Sequence, residues 1–285
     1  MQRYRILHRT YYNYPVDVNL GPHRLRLRPR EGHELRIESS SLEIFPPAEL
    51  RWQRDAEDNS VAIATFKQPT RQLRIESQVV IQQYNEEPLD FLVTDEAVNY
   101  PFDYSASDLD VLGPYLLDPR LTVEPALRSW VDQIWQAGES IQSYELLLRI
   151  TQQIKKSFEY QLREEPGVQS AHDTLELGTG SCRDFASLLM QAARMLGFAA
   201  RFVSGYLYSP PTPEDYGSTH AWAEIYLPGP GWKGFDPTTG SVVGADHVSV
   251  AVARTPDSVP PVEGSYQGPE GSQMEVGVWL TPLQE

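Results

Sequence analysis

The run Arg24-Leu25-Arg26-Leu27-Arg28 alternates charged and apolar residues, a period of two that sets Leu25 and Leu27 on one face of a β-strand. Its arginines then form the solvated face of that strand, in keeping with the acidic residues around them. Leu42–Phe45, Val61–Phe66 and Leu73–Ile81 are further strand-like runs, separated by turn residues at Pro46-Pro47, Asp58-Asn59-Ser60 and Pro69-Thr70. Several short strands at this spacing predict an antiparallel β-sandwich-like domain over residues 1–115. Between 86 and 122 the chain is punctuated by Pro88, Pro101 and Pro114 and is rich in acids. That stretch reads as a connector and carries the domain boundary.

Beyond it the period changes. Val123 to Ala137 puts Leu127, Trp130, Val131, Ile134 and Trp135 on one helical stripe, and Ile141 to Phe158 does the same with Leu146, Leu147, Ile150 and Ile154. A third helix begins near Cys182, with Phe185, Leu188, Leu189, Ala192 and Leu196 on its apolar face and Gly197 at the C′ position. Strand-like runs follow at Ala200–Tyr208, Thr219–Leu227 and Trp232–Asp236, the last two joined by Pro228-Gly-Pro-Gly231. Residues 116–285 therefore predict helices packed on an antiparallel sheet, which makes the whole chain α+β. The loop Ser209–Gly217 is stiffened by prolines and ends just before His220, so it could wall a site. The tail from Arg254 to Gly271 is rich in Pro, Gly and Ser and is expected to be irregular.

Composition narrows the possible functions. The chain has 285 residues, 40% hydrophobic and 11% aromatic, enough apolar content for packed cores. No apolar run reaches the ~18 residues of a membrane-spanning helix, so no membrane partner is expected. Met1–His8 lacks the apolar stretch of a secretory signal. A net charge of −15, with both halves acidic, argues against a nucleic-acid partner. A single cysteine allows no internal disulfide and no Cys-rich zinc site. One unpaired thiol suits a reducing, cytoplasmic setting. No cofactor and no metal are expected, and no signal for oligomeric state is present.

That cysteine, Cys182, follows Gly178-Thr-Gly-Ser181 and opens the third helix, with Ser181 as candidate N-cap and Asp184 at N3. A thiol placed there meets unpaired backbone N–H groups and the positive end of the helix dipole, which brings such thiols from about 8.5 toward a reactive range. The same N–H groups can hold an oxyanion. A buried, inert cysteine is the alternative. His220 lies in an alternating strand, on one face with Trp222 and Glu224. His172 or His247 could pair with the sulfur instead. Asp236 lies on the next strand and can accept from an imidazole nitrogen. A hairpin centred on residue 228 would put it directly opposite His220, whereas a turn at Gly229-Pro230 would call for a bulge or an asymmetric loop. Helix-start Cys, strand His and strand Asp make up the nucleophile, base and orienter of thiol acyl transfer. Tyr206 and Trp222 are candidates for oxyanion support or for walling the substrate site, with packing the commoner role for both. A redox-sensor reading lacks a second cysteine to resolve a sulfenic acid.

Residues 150 to 240 resemble the transglutaminase-like core, a papain-related superfamily. The matching stretches include Gly178-Thr-Gly-Ser-Cys-Arg-Asp-Phe-Ala186, His220-Ala-Trp-Ala-Glu-Ile-Tyr226 and Gly231-Trp-Lys-Gly-Phe-Asp-Pro-Thr238. The N-terminal part is similar to the β-rich domain that precedes this core in many bacterial and archaeal members, through Thr10-Tyr-Tyr-Asn-Tyr14, Leu25-Arg-Leu-Arg-Pro29 and Asp55 to Asn59. The resemblance implies Cys182 as nucleophile, His220 as base and Asp236 as orienter, acting on an amide of a peptide or protein. Hydrolysis is the expected outcome; cross-linking of glutamine and a non-catalytic binding role are the alternatives. No calcium loop of the D-x-D-x-D-G type is present, so the calcium activation of animal members does not carry over.

Overall fold

The N-terminal strands are β1 (Gln2–Leu20), β2 (His23–Leu25), β3 (Leu35–Phe45), β4 (Ala48–Arg54), β5 (Ser60–Phe66) and β6 (Thr70–Gln83). The computed structural model describes residues 2–84, 87–117, 124–163, 165, 167–209 and 219–283. Antiparallel β1, β6 and β3 form one sheet, and β2, β5 and β4 form a second. The long β1 and β6 serve two cores. At one end Tyr14, Val18, Leu73 and Ile75 pack against Leu25, Ala62 and Ala64 of the second sheet. At the other, Tyr4, Ile6, Val79 and Ile81 pack against Tyr206, Val248 and Val250 of the downstream sheet. Truncating a fully buried side chain such as Ile81 to Ala should cost about 2–5 kcal/mol.

The helices are α1 (Ala106–Leu112), α2 (Pro125–Asp132), α3 (Ser143–Ser157), α4 (Ala171–Leu177) and α5 (Cys182–Met195). Periodicity anticipated α2, α3 and α5. It missed α1, inside the stretch read as a connector, and α4, which is opened by a capping box between Ser170 and Asp173. Gly197, just past α5, has φ +90°, the left-handed conformation expected of a C′ glycine. The downstream sheet contains β7 (Ala200–Leu207), β8 (Thr219–Leu227), β9 (Gly231–Asp236) and β10 (His247–Ala253). They lie in the antiparallel order β9-β8-β7-β10. Apolar faces of α3 and α5 bury Leu146, Ile150, Phe185, Leu188 and Leu189 in one core with Ala221, Ala223, Ile225 and Phe235 of the sheet. The loop expected to wall the site, Ser209–Gly217, lies outside the described residues from Pro210 onward.

The segment expected to be irregular, Arg254–Gly271, carries only short pairings, and the chain beyond it returns to the N-terminal strands. Val262–Glu263 pairs with β2, and Tyr266–Gln267 with β1. Gln273–Pro282 forms β11, paired along β1 from Tyr4–Pro282 to Asn13–Gln273. The reason is visible in Met274, Val276, Val278 and Leu280, a period-two pattern suited to a strand, with Val278 buried.

Candidate active site

Local chain geometry places the sulfur. Gly178 closes α4 with φ +70°, where a side chain would be strained. A Cβ on Gly180 would meet Phe185 Cε1 at 3.0 Å and Asp184 Cβ at 3.1 Å. This compact turn delivers Cys182 as the first residue of α5. Buried Asp184 secures it: Oδ2 accepts from Ser181 N (2.8 Å) and Ser181 Oγ (2.7 Å), and Oδ1 from Arg163 (2.7 Å) and Gln169 N (2.8 Å). Burial pushes this carboxyl up, and the four donors outweigh it and hold it low. Arg183 donates to the carbonyls of Arg163 and Glu165, so Asp184 and Arg183 at the helix start fasten Arg163, Glu165 and Gln169.

His220, second residue of β8, hydrogen-bonds the Cys182 side chain. Its Nε2 lies 2.9 Å from Asp236 Oδ2, which leaves Nδ1 for the sulfur. The β8–β9 register pairs Leu227 with Gly231 and Ala223 with Phe235. Continued, it sets Asp236 across from Trp222, so His220 and Asp236 meet on the diagonal. Neither the direct opposition nor the bulge or asymmetric loop considered from the sequence is needed. Asp236 is fully buried, and its Oδ1 accepts from Thr238 N (2.8 Å) and Thr239 N (3.4 Å).

The electrostatics follow from these contacts. Burial alone would lower His220, but hydrogen bonds to Asp236 and Cys182, with their charges, raise it to about 10. Burial would raise Asp236, but the bonds from His220 and His247 take it well below the usual carboxylate range. At neutral pH an imidazolium thus sits between carboxylate and sulfur. The sulfur opens on a cavity of about 330 Å³ lined by Cys182, His220, Gly167, Val168, Phe202 and Ser204. Its far wall is Pro256, Asp257 and Val259–Pro261, from the segment expected only to be irregular.

Several readings left open by the sequence are decided by contacts. Tyr206 is buried with its hydroxyl 3.0 Å from His8 Nδ1 and does not line the cavity. Its ring packs under the N-terminal strands, a cover that strand periodicity cannot reveal. Trp222 is likewise fully buried, packed with Val203 and Val252 and lying edge-on to His247; it backs the histidines and does not face the cleft. Exposed His172 pairs with Glu124 (2.7 Å) and Glu176 (3.4 Å) on α4's outer side. His247 meets Asp236 rather than the sulfur, with Nε2 3.1 Å from Oδ2. His220, Asp236 and His247 bring ligand-type atoms within 4.8 Å of one another, the cluster among the described residues that could hold a metal. Both rings direct Nε2 at the same carboxylate oxygen, so hydrogen bonds account for the grouping without an ion.

Comparison with known proteins places this geometry. Residues 4–82 match the family profile of the bacterial transglutaminase-like N-terminal region, and residues 128–237 that of the transglutaminase-like superfamily. Residues 128–237 belong to the transglutaminase-like superfamily. Cys182, His220 and Asp236 all fall within the second match. An uncharacterized protein of Mycobacterium tuberculosis is 29% identical over 99% of this chain and 93% of its own. One from Mycobacterium leprae is 26% identical over 99% and 100%. The crystal structure of a candidate cysteine protease from Cytophaga hutchinsonii superposes with a TM-score of 0.75 at 20% identity, covering 100% of this chain and 91% of that one. This chain thus shares its fold with that last structure.

Proposed function

We propose that this transglutaminase-like protein hydrolyses amide bonds of peptides or proteins through a thioester on Cys182. The observation that carries the reading is the His220 ring bonded on one side to the Cys182 side chain and on the other, at 2.9 Å, to buried Asp236. Cys182 Sγ attacks the amide carbonyl carbon, and the carbonyl electrons move to oxygen. The N–H of Cys182, a first-turn donor that the helix itself leaves without an intrahelical acceptor, can hold that oxyanion. As the C–N bond breaks, His220 gives its proton to the departing amine and a thioester remains. Water then adds to the thioester, losing its proton to His220, and the acid leaves as the thiolate is restored. Asp236 fixes the ring's orientation and stabilises its charge. The fold neighbour described as a candidate cysteine protease supports hydrolysis over glutamine cross-linking.

Peptide-library profiling of the protein and its Cys182→Ala variant, with peptide cleavage and ammonia release followed separately, tests the reading. Cleavage or deamidation that Cys182→Ala abolishes is expected. Primary-amine incorporation dominating over hydrolysis would make the protein a cross-linking enzyme instead.

A further inference from the structure

Asp236 Oδ2 receives two rings. Besides His220, the buried His247 at the head of β10 approaches it at 3.1 Å. The proton on that ring can be located from its other side. His247 Nδ1 accepts from Gly244 N at 3.3 Å, so Nδ1 carries no hydrogen and the ring's proton is on Nε2, aimed at the carboxylate. The ring is fixed further by Trp222, edge-on at 5.3 Å. Its backbone is held by His247 N to Gly244 O at 3.0 Å. Gln83, the last residue of β6, donates from Nε2 to His247 O at 3.0 Å, so the N-terminal domain grips the same residue.

From this arrangement, and resting on the reading of Cys182, His220 and Asp236 as the reacting groups, we propose that His247 is a positioning residue. Its Nε2–H holds the Asp236 carboxylate in the one orientation that serves His220. Four donors then fix the acid: two backbone N–H groups on Oδ1 and two imidazoles on Oδ2. Without His247, a lone-pair direction of a fully buried carboxylate is left unfilled. The group can then turn, and the His220 bond weakens. The role requires an N–H at the Nε2 position and not a positive charge. Glutamine, whose amide nitrogen reaches about as far as Nε2, should replace it; leucine should not.

The test uses iodoacetamide, which alkylates Cys182 without any need to know the substrate. At pH 7, His220→Ala should slow alkylation of the folded protein at least thirtyfold, His247→Leu about tenfold, and His247→Gln no more than threefold. His247→Leu reacting at the wild-type rate, or His247→Gln reacting as slowly as His247→Leu, overturns the positioning role. His220→Ala reacting as fast as wild type would instead sink the reading on which it rests. Should His247→Leu not fold, ¹⁵N-histidine spectra of the unaltered protein decide. A bare Nδ1 with a slowly exchanging Nε2–H on His247 is expected, and an Nδ1–H tautomer overturns the proposal.

Discussion

His8 is buried and His220 nearly so, and both rings are hydrogen-bonded through each nitrogen, yet one is neutral and the other a cation. His8 is a β1 residue, its ring 3.0 Å from Tyr206 Oη and 3.0 Å from Thr10 Oγ1. Its partners are neutral hydroxyls, and burial takes it down to about 4. His220 is nearly as enclosed, but its partners are a carboxylate and a thiol, and it rises to about 10. The comparison separates two effects that usually travel together. Removal from water favours the neutral ring; one well-placed anion reverses the preference. One histidine therefore links β1 to β7 as a neutral ring, and the other is held as a cation beside the thiol.

The largest effect should come from making the His220 surroundings resemble those of His8. Asp236→Asn keeps the shape and removes the charge; amide hydrolysis should fall by about 10³- to 10⁴-fold in kcat/KM. A loss below tenfold would show that the carboxylate's charge matters little.

Next, the two rings should give stability opposite pH dependences. His8 has a folded value below its unfolded one, so stability is intact above pH 6.5 and is lost as pH falls toward 4, by about 3 kcal/mol. His220 has a folded value above its unfolded one, so its contribution is full below pH 6.5 and fades as pH rises through 10. Urea titrations at stepped pH check both limbs; His8→Gln should flatten only the acid one. At fixed neutral pH, His8→Leu strands the Tyr206 and Thr10 hydroxyls and should cost about 1–3 kcal/mol, while kcat stays within about twofold. The smallest effect belongs to Tyr206→Phe, about 1 kcal/mol of stability with activity unchanged. A large loss of kcat there would return Tyr206 to the oxyanion role that its burial argues against.

How far the sequence anticipated this depends on whether the signal was local. Cys182 was legible because Gly178, Gly180, Ser181 and Asp184 spell out a turn and a helix start within seven residues. His220 and Asp236 were legible because a short turn joins their strands. His247 was not, because it reaches Asp236 through a sheet order in which β10 lies beside β7, across the sheet from β9. No spacing along the chain encodes that neighbourhood, although the β-branched run after His247 does announce a strand. For Tyr206 and Trp222 the sequence left the cleft and packing readings side by side, for a related reason. Alternation says which residues share a face but not whether a cleft or the N-terminal domain covers it. The Met274–Leu280 alternation was plain in the sequence, but its partner β1 lies at the other end of the chain.

The most direct measurement is an NMR titration of ¹⁵N-labelled histidine in the folded protein, with His8 and His220 assigned by single substitution. His220 should carry protons on both nitrogens through neutral pH and lose one only near pH 10, while His8 stays neutral down to about pH 4. A neutral His220 at pH 7, titrating like His8 or like a free imidazole, would contradict the claim that Asp236 and Cys182 together turn this ring into a cation.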